Sequence, residues 1–248
     1  MRKLKIPDNL TSLAYRSIKE YILEGRLEEN RRLTEEFLSG QLGISKSPIR
    51  EAMNRLEAEG LIRIESRRGA YLRSFSPKEV DDLYGLREAL EVHAVRTGIF
   101  AQELSKELRA SVKRLRTFLK ADDKAAYIDE DVHFHITLAR ATRNDQLCRA
   151  IENIQHQIWL FRRKTYVLSS STSPDDHEDL VDAIERNDRS AAMEVMTRHI
   201  SSVRKQLLDH LDRGTREECT AIPRRAKPRP RQIPVPSVSQ ETSARISA

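Results

Sequence analysis

Asp131 and His135, in the run Asp131-Val-His-Phe-His135, place a carboxylate and an imidazole four residues apart. In a helix both lie on one face, as two ligands of one ion must. Two further histidines share helical rows with apolar neighbours: His177 precedes Leu180 and Ile184, and His199 sits between Met196 and Val203. Those rows are expected to face a core. Three imidazoles and a carboxylate suit a borderline divalent cation such as zinc, nickel or manganese, with water or a ligand oxygen in any open position. A lone inward histidine is more often a hydrogen-bonded core residue, so the inference rests on all four converging. His93, His133, His156 and His210 are read as surface or packing residues.

A second set of residues has the chemistry to grip a polyanion. Ser45-Lys46-Ser47-Pro48-Ile49-Arg50-Glu51 reads as the start of a helix capped by Ser45 or Ser47, with proline tolerated in its first turn. Lys46 and Arg50 share a face. Arg50 can fork onto guanine O6 and N7, Lys46 can donate to a base or phosphate, and Ser47 offers a short hydroxyl. Ile49, Met53 and Leu56 point the other way, toward a core. Arg67 and Arg68 stand at a turn that Gly69 permits, where they can reach the minor groove or the backbone.

The elements that must position these groups follow from punctuation and periodicity. Helices are predicted from about Leu10 to Glu24, from Thr34 to Gly43, and from Ser45 to Ala58, each stopped near a glycine. Strand-like Leu61–Glu65 and Ala70–Arg73 flank the turn at 66–69. Three helices and a basic-tipped hairpin make a winged helix-turn-helix over residues 8–75. Ser76-Pro77-Lys78-Glu79 is a capping box with proline at the first helical position, and it opens a second domain at 77–213. Between Phe100 and Arg213 there is no glycine and Pro174 is the only proline, so the stretch reads as long helices. They are expected near 77–101, 104–120, 123–142, 144–170, 174–187 and 189–212, with Asn144, Ser173 and Asp188 as caps. Leu147, Ile151, Ile154, Ile158 and Phe161 alternate steps of four and three, which buries one face of an antiparallel bundle. The fold class is thus mainly α. Residues 214–248, rich in arginine and proline, are expected to form a disordered tail.

Bulk properties narrow the partners. Residues 1–75 carry 15 basic and 11 acidic side chains, a basic head on a slightly acidic body. That asymmetry points to a polyanion-binding module joined to something else. No run of 18 apolar residues exists and no signal peptide is evident, so a membrane span is not expected. Cys148 and Cys219 form no metal or disulfide framework. A cytoplasmic protein is the expectation.

Leu33-x-Glu35, Leu38, Leu42-Gly43, Ser45-x-x-Pro48-Ile49-Arg50-Glu51-Ala52, Leu56, Glu59-Gly60-Leu61 and Arg68-Gly69-Ala70 resemble the GntR-type DNA-binding domain. Two positions depart from it. Lys46 stands where the family often has arginine, and Glu36 where it often has a DNA-contacting arginine; Arg31 and Arg32 are candidate substitutes. Arg87-x-x-Leu90-Glu91, Asp131-x-x-Phe134-His135, Asn144, His177 and His199 are similar to the FCD effector domain of the FadR and VanR branch. That resemblance implies a metal held by Asp131, His135, His177 and His199, and a small organic acid as effector. Arg87 is then either a fork for the acid's carboxylate or one half of a structural salt bridge. It also implies a homodimer on palindromic operator DNA, most often as a repressor, without enzyme activity. A rival function is a metal-dependent hydrolase on the bundle. It lacks a placed general base, because Glu130 is rotated off the ligand face. The same residues would also suit a sensor of the ion itself, or a metal-free bundle with a structural polar cluster.

Overall fold

The structure, a computed structural model, describes residues 9–27, 31–66, 68–169 and 173–221. Its head holds α1 (Leu10–Leu23), α2 (Glu35–Leu42), α3 (Lys46–Ala58), β1 (Ile62–Glu65) and β2 (Gly69–Leu72). Local chemistry sets the borders. Asn9 and Thr34 accept backbone N–H bonds at the starts of α1 and α2, and left-handed Gly43 ends α2. Ser45 occupies the N-cap of α3 in extended conformation without a side-chain capping bond. The strands pair antiparallel from Ile62↔Leu72 to Glu65↔Gly69, and Leu33 bridges Ala70 from outside. Gly69 has φ +96°, and a Cβ there would stand 2.8 Å from the Leu33 carbonyl, so the wing closes only around glycine. Ile18, Ile22, Leu33, Ile49, Leu56 and Leu61 fill the head's core.

Among the described residues the body holds six helices: α4 (Pro77–Thr97), α5 (Gln102–Lys120), α6 (Lys124–Arg140), α7 (Asp145–Ser169), α8 (Ser173–Glu185) and α9 (Arg189–Ala221). The predicted capping box is present: Ser76 Oγ accepts from the Glu79 amide, and Glu79 accepts from the Ser76 amide. Helix α4 packs along α9, α6 lies against α5 and α7, and α8 is held between α5 and α9. Tyr84, Leu108, Phe134, Ile158, Val181 and Ile200 line the shared core. Asn144 caps α7 and Asp188 caps α9 as expected, while α8 begins at Ser173 itself.

Two helix ends differ from the sequence reading. Helix α4 stops at Thr97, four residues early, because Gly98 is extended and Ile99 donates its N–H to the Ala141 carbonyl rather than back into the helix. Helix α9 runs through Gly214 to Ala221, so part of the expected tail is helical. A single glycine costs a helix about 1 kcal/mol, which is a weak stop signal. Residues 222–248, and with them the rest of the tail, lie outside the described residues.

Head and body meet along α7. Gln157 Nε2 donates to the Glu59 carbonyl at 3.0 Å, Leu160 packs against the head's core, and Phe75 meets Phe161 edge-on with ring centroids 5.4 Å apart. Arg73, just before the joint, reaches Glu79 at 2.9 Å.

Candidate metal centre and DNA-reading surface

The four polar residues picked from the sequence converge inside the bundle. Asp131 and His135 come from α6, His177 from α8 and His199 from α9, and all four are buried. One ring nitrogen from each of His135, His177 and His199 lies within 4.8 Å of the other two. Asp131 flanks the trio: its Oδ2 is 3.7 Å from His135 Nε2 and its Oδ1 3.9 Å from His177 Nε2. Packing fixes the rings. Phe134 stacks on His177 with centroids 4.1 Å apart, and His199 faces His135 at 5.5 Å.

Each imidazole is oriented by a neighbour. His135 Nδ1 lies 2.6 Å from Glu91 Oε2, a close contact outside the angle of an aligned hydrogen bond. Arg87 Nη2 stands 2.7 Å from His135 Nε2. A guanidinium only donates, so this nitrogen carries the lone pair and Nδ1 the proton. His199 Nδ1 faces Asp176 Oδ2 at 3.3 Å, which leaves His199 Nε2 free. His177 has no hydrogen-bond partner on either ring nitrogen. Burial, then its neighbour His199, hold its pKa well below the ordinary imidazole value, so it is neutral with an open lone pair.

Two buried ion pairs complete the site. Arg87 Nε donates to Glu91 Oε1 at 2.9 Å, and Gln155 Nε2 donates to the same oxygen at 2.6 Å. Burial alone would raise the Glu91 pKa, but Arg87 and His135 bring it down to about 2. Arg162 bonds Asp131 Oδ2. Burial would raise the Asp131 pKa as well, but the charge of Arg162, and after it that of His135, hold it well below the usual carboxylate range. Asp131 Oδ1 keeps no hydrogen-bond partner. Arg87 therefore makes the salt bridge considered from the sequence, and it also touches a histidine of the cluster.

Sequence reasoning missed Arg162, Gln155 and Asp176, and it had Glu91 only inside a motif. A signal was available. Gln155 and Arg162 fall in one helical row with Ile151 and Ile158, so they are polar residues within an apolar stripe. Glu130, the residue weighed as a base, instead pairs with Arg114 and Ser111.

On the head, Lys46, Ser47 and Arg50 are exposed on the first turns of α3. Both cations are engaged by α2. Arg50 forks onto Glu35 at 2.7 and 2.8 Å, and Lys46 pairs with Glu36. Arg68 is exposed at the wing 3.8 Å from Glu65, and Arg67 lies outside the described residues.

A winged helix-turn-helix fused to a helical bundle with a buried histidine cluster defines a DNA-binding regulator. Residues 10–72 match the bacterial regulatory proteins of the gntR family, and residues 82–202 match the FCD domain. The chain belongs to the GntR family, with an FCD domain as its C-terminal part. It is 28% identical to the HTH-type transcriptional regulator YdhC of Bacillus subtilis, over 81% of this chain and 92% of that protein. The gluconate operon transcriptional repressor of Bacillus subtilis is 25% identical over 76% of this chain and 81% of its own length. Among solved structures, E. coli McbR/YncC shares the fold with a TM-score of 0.70, 19% identity, and coverage of 83% of this chain and 98% of that one. The families matched and these relatives are transcriptional regulators and not enzymes, so the hydrolase reading has no support. Among the described residues no helix is long and apolar enough to cross a membrane.

Proposed function

We propose that this regulator is a homodimeric repressor whose operator affinity is set by a small carboxylate bound at a metal centre in the bundle. The observation that carries the reading is buried His177, whose two ring nitrogens have no hydrogen-bond partner and one of which lies within 4.8 Å of a ligand atom on each of His135 and His199. A buried polar group without a partner costs about 1–3 kcal/mol, so it asks for a ligand. His135, His177 and His199 would hold the ion, with Asp131 alongside. A divalent cation bound there supplies a Lewis-acidic anchor for a carboxylate.

The chain's own residues supply the rest. Glu91 keeps the His135 proton on Nδ1 and its lone pair on Nε2, where a bound ion would displace Arg87; Asp176 keeps the lone pair of His199 on Nε2, and Phe134 fixes the plane of His177. Arg87 and Arg162 balance Glu91 and Asp131, and His177 is neutral. A divalent cation added to that balance leaves excess positive charge, which favours an anion such as a hydroxy acid, sugar acid or dicarboxylate. Arg87 is the fork next to this point. The repressor reading follows the gluconate operon repressor, and the dimer would match a palindromic operator. The acid acts only by binding one arrangement of the heads better than the other.

Two measurements test the reading. Elemental analysis and zinc titration of the purified chain should give one ion per chain in wild type and none in a His177→Ala/His199→Ala variant. Band shifts on the DNA upstream of its own gene should give a specific complex, weakened roughly tenfold or more by Arg50→Ala. Absence of both metal and a specific shift would defeat it.

A further inference from the structure

Helix α7 has two working faces. Gln155, Ile158 and Arg162 lie on one, and Gln155 and Arg162 bond the two acids of the histidine cluster, Glu91 and Asp131. His156, Gln157 and Leu160 lie on the other, about half a turn round. That face meets the head, and Phe161, between the two faces, meets the joint. Gln157 donates to the carbonyl of Glu59, the C-cap residue of the recognition helix α3. Gly60, with φ +74°, lets the amide approach, since a Cβ there would stand 3.0 Å from Gln157 Cδ. The Glu59 side chain in turn holds Tyr15 and Lys19 of α1 at 2.6–3.0 Å and Arg55 of α3 at 3.3 Å. One residue thus joins α1, α3 and α7. Leu160 belongs at once to the packing of the head's core and to that of the body.

We propose that α7 couples the metal centre to the recognition helix, and that Gln157 is the positioning residue at its head end. This rests on the metal reading above and adds the route by which the site reaches DNA. A packed helix moves as a unit. A change in how Asp131 and Glu91 hold Arg162 and Gln155 on one face therefore turns or slides the face that carries Gln157. The Glu59 carbonyl, and with it the end of α3, follows. The other connection, the joint at 73–76, is a chain crossing beside the same helix, with Phe75 seated on Phe161.

Hydrogen exchange on the full chain, with zinc alone as the probe, tests the route. In wild type, zinc is expected to change exchange in α6 and α8 around His135 and His177, and also in residues 57–61, by about fivefold or more. In Gln157→Glu, which keeps the shape but removes the donor, the change near the histidines should persist and the change at 57–61 should vanish. Gln157→Met, uncharged, should behave alike, and Leu160→Val serves the same comparison should either 157 variant fail to fold. A zinc effect at the histidines with none at 57–61 in wild type would overturn the route. An equal effect at 57–61 in the variants would overturn it too. No zinc effect near His135 and His177 would instead remove the metal reading, and the coupling with it.

Discussion

His156 offers a test of the head–body seam that leaves the histidine cluster untouched. It sits partly buried on the head-facing side of α7, and its Nδ1 has no hydrogen-bond partner. Burial first, and the charge of Lys19 second, lower its pKa from 6.5 to about 4, with Glu59 pulling weakly the other way. The sign follows from linkage. Well above pH 6.5 the ring is neutral folded or unfolded and contributes no pH dependence. Below that, the unfolded chain takes up a proton that the folded one refuses, so stability falls until the pH nears 4. Between about pH 7 and pH 5 the loss from this residue comes to about 2 kcal/mol. His156→Gln keeps polarity and removes the titration. Urea unfolding followed by the fluorescence of Trp159, the single tryptophan, measures both proteins at both pH values. Wild type should lose about 2 kcal/mol more than the variant over that interval. Equal losses would mean that His156 takes its proton freely in the folded state, and that water reaches the seam.

Three further outcomes are expected. Glu36→Gln releases Lys46, so binding to a scrambled duplex should tighten and the salt dependence should steepen by about one counterion, read by fluorescence anisotropy across a salt series. Asp176→Ala removes the group that orients His199, and competition titration should show zinc affinity falling about 10–100-fold with the fold intact. Arg162→Met strands Asp131 in the core and should cost about 3–5 kcal/mol in urea unfolding, much of it regained when Asp131→Leu is added.

How much was legible in the sequence depended on how local each cause was. The capping box at Ser76 and Glu79 uses four consecutive residues, and it is present as expected. Asp131 and His135 were legible because a four-residue step fixes a shared face. His177 and His199 were legible because their rows also carry Leu180, Ile184, Met196 and Val203. Gln155 and Arg162 obey the same rule, but their partners Glu91 and Asp131 lie on other helices, so only the assembled bundle explains two polar residues in an apolar row. The pairing of Lys46 and Arg50 with Glu36 and Glu35 depends on the angle between α2 and α3. The early end of α4 depends on a carbonyl at Ala141, over forty positions away. No local pattern encodes either.

The pairing of Lys46 and Arg50 with two glutamates has a consequence for how the protein finds its place on a chromosome. Without those acids, such a head would cling to any stretch of duplex through unopposed cations and linger on the millions of irrelevant positions that a genome offers. With those cations engaged by Glu36 and Glu35, random encounters are expected to be shorter. On the proposed reading, an operator would hold the head by outcompeting the glutamates for these two side chains.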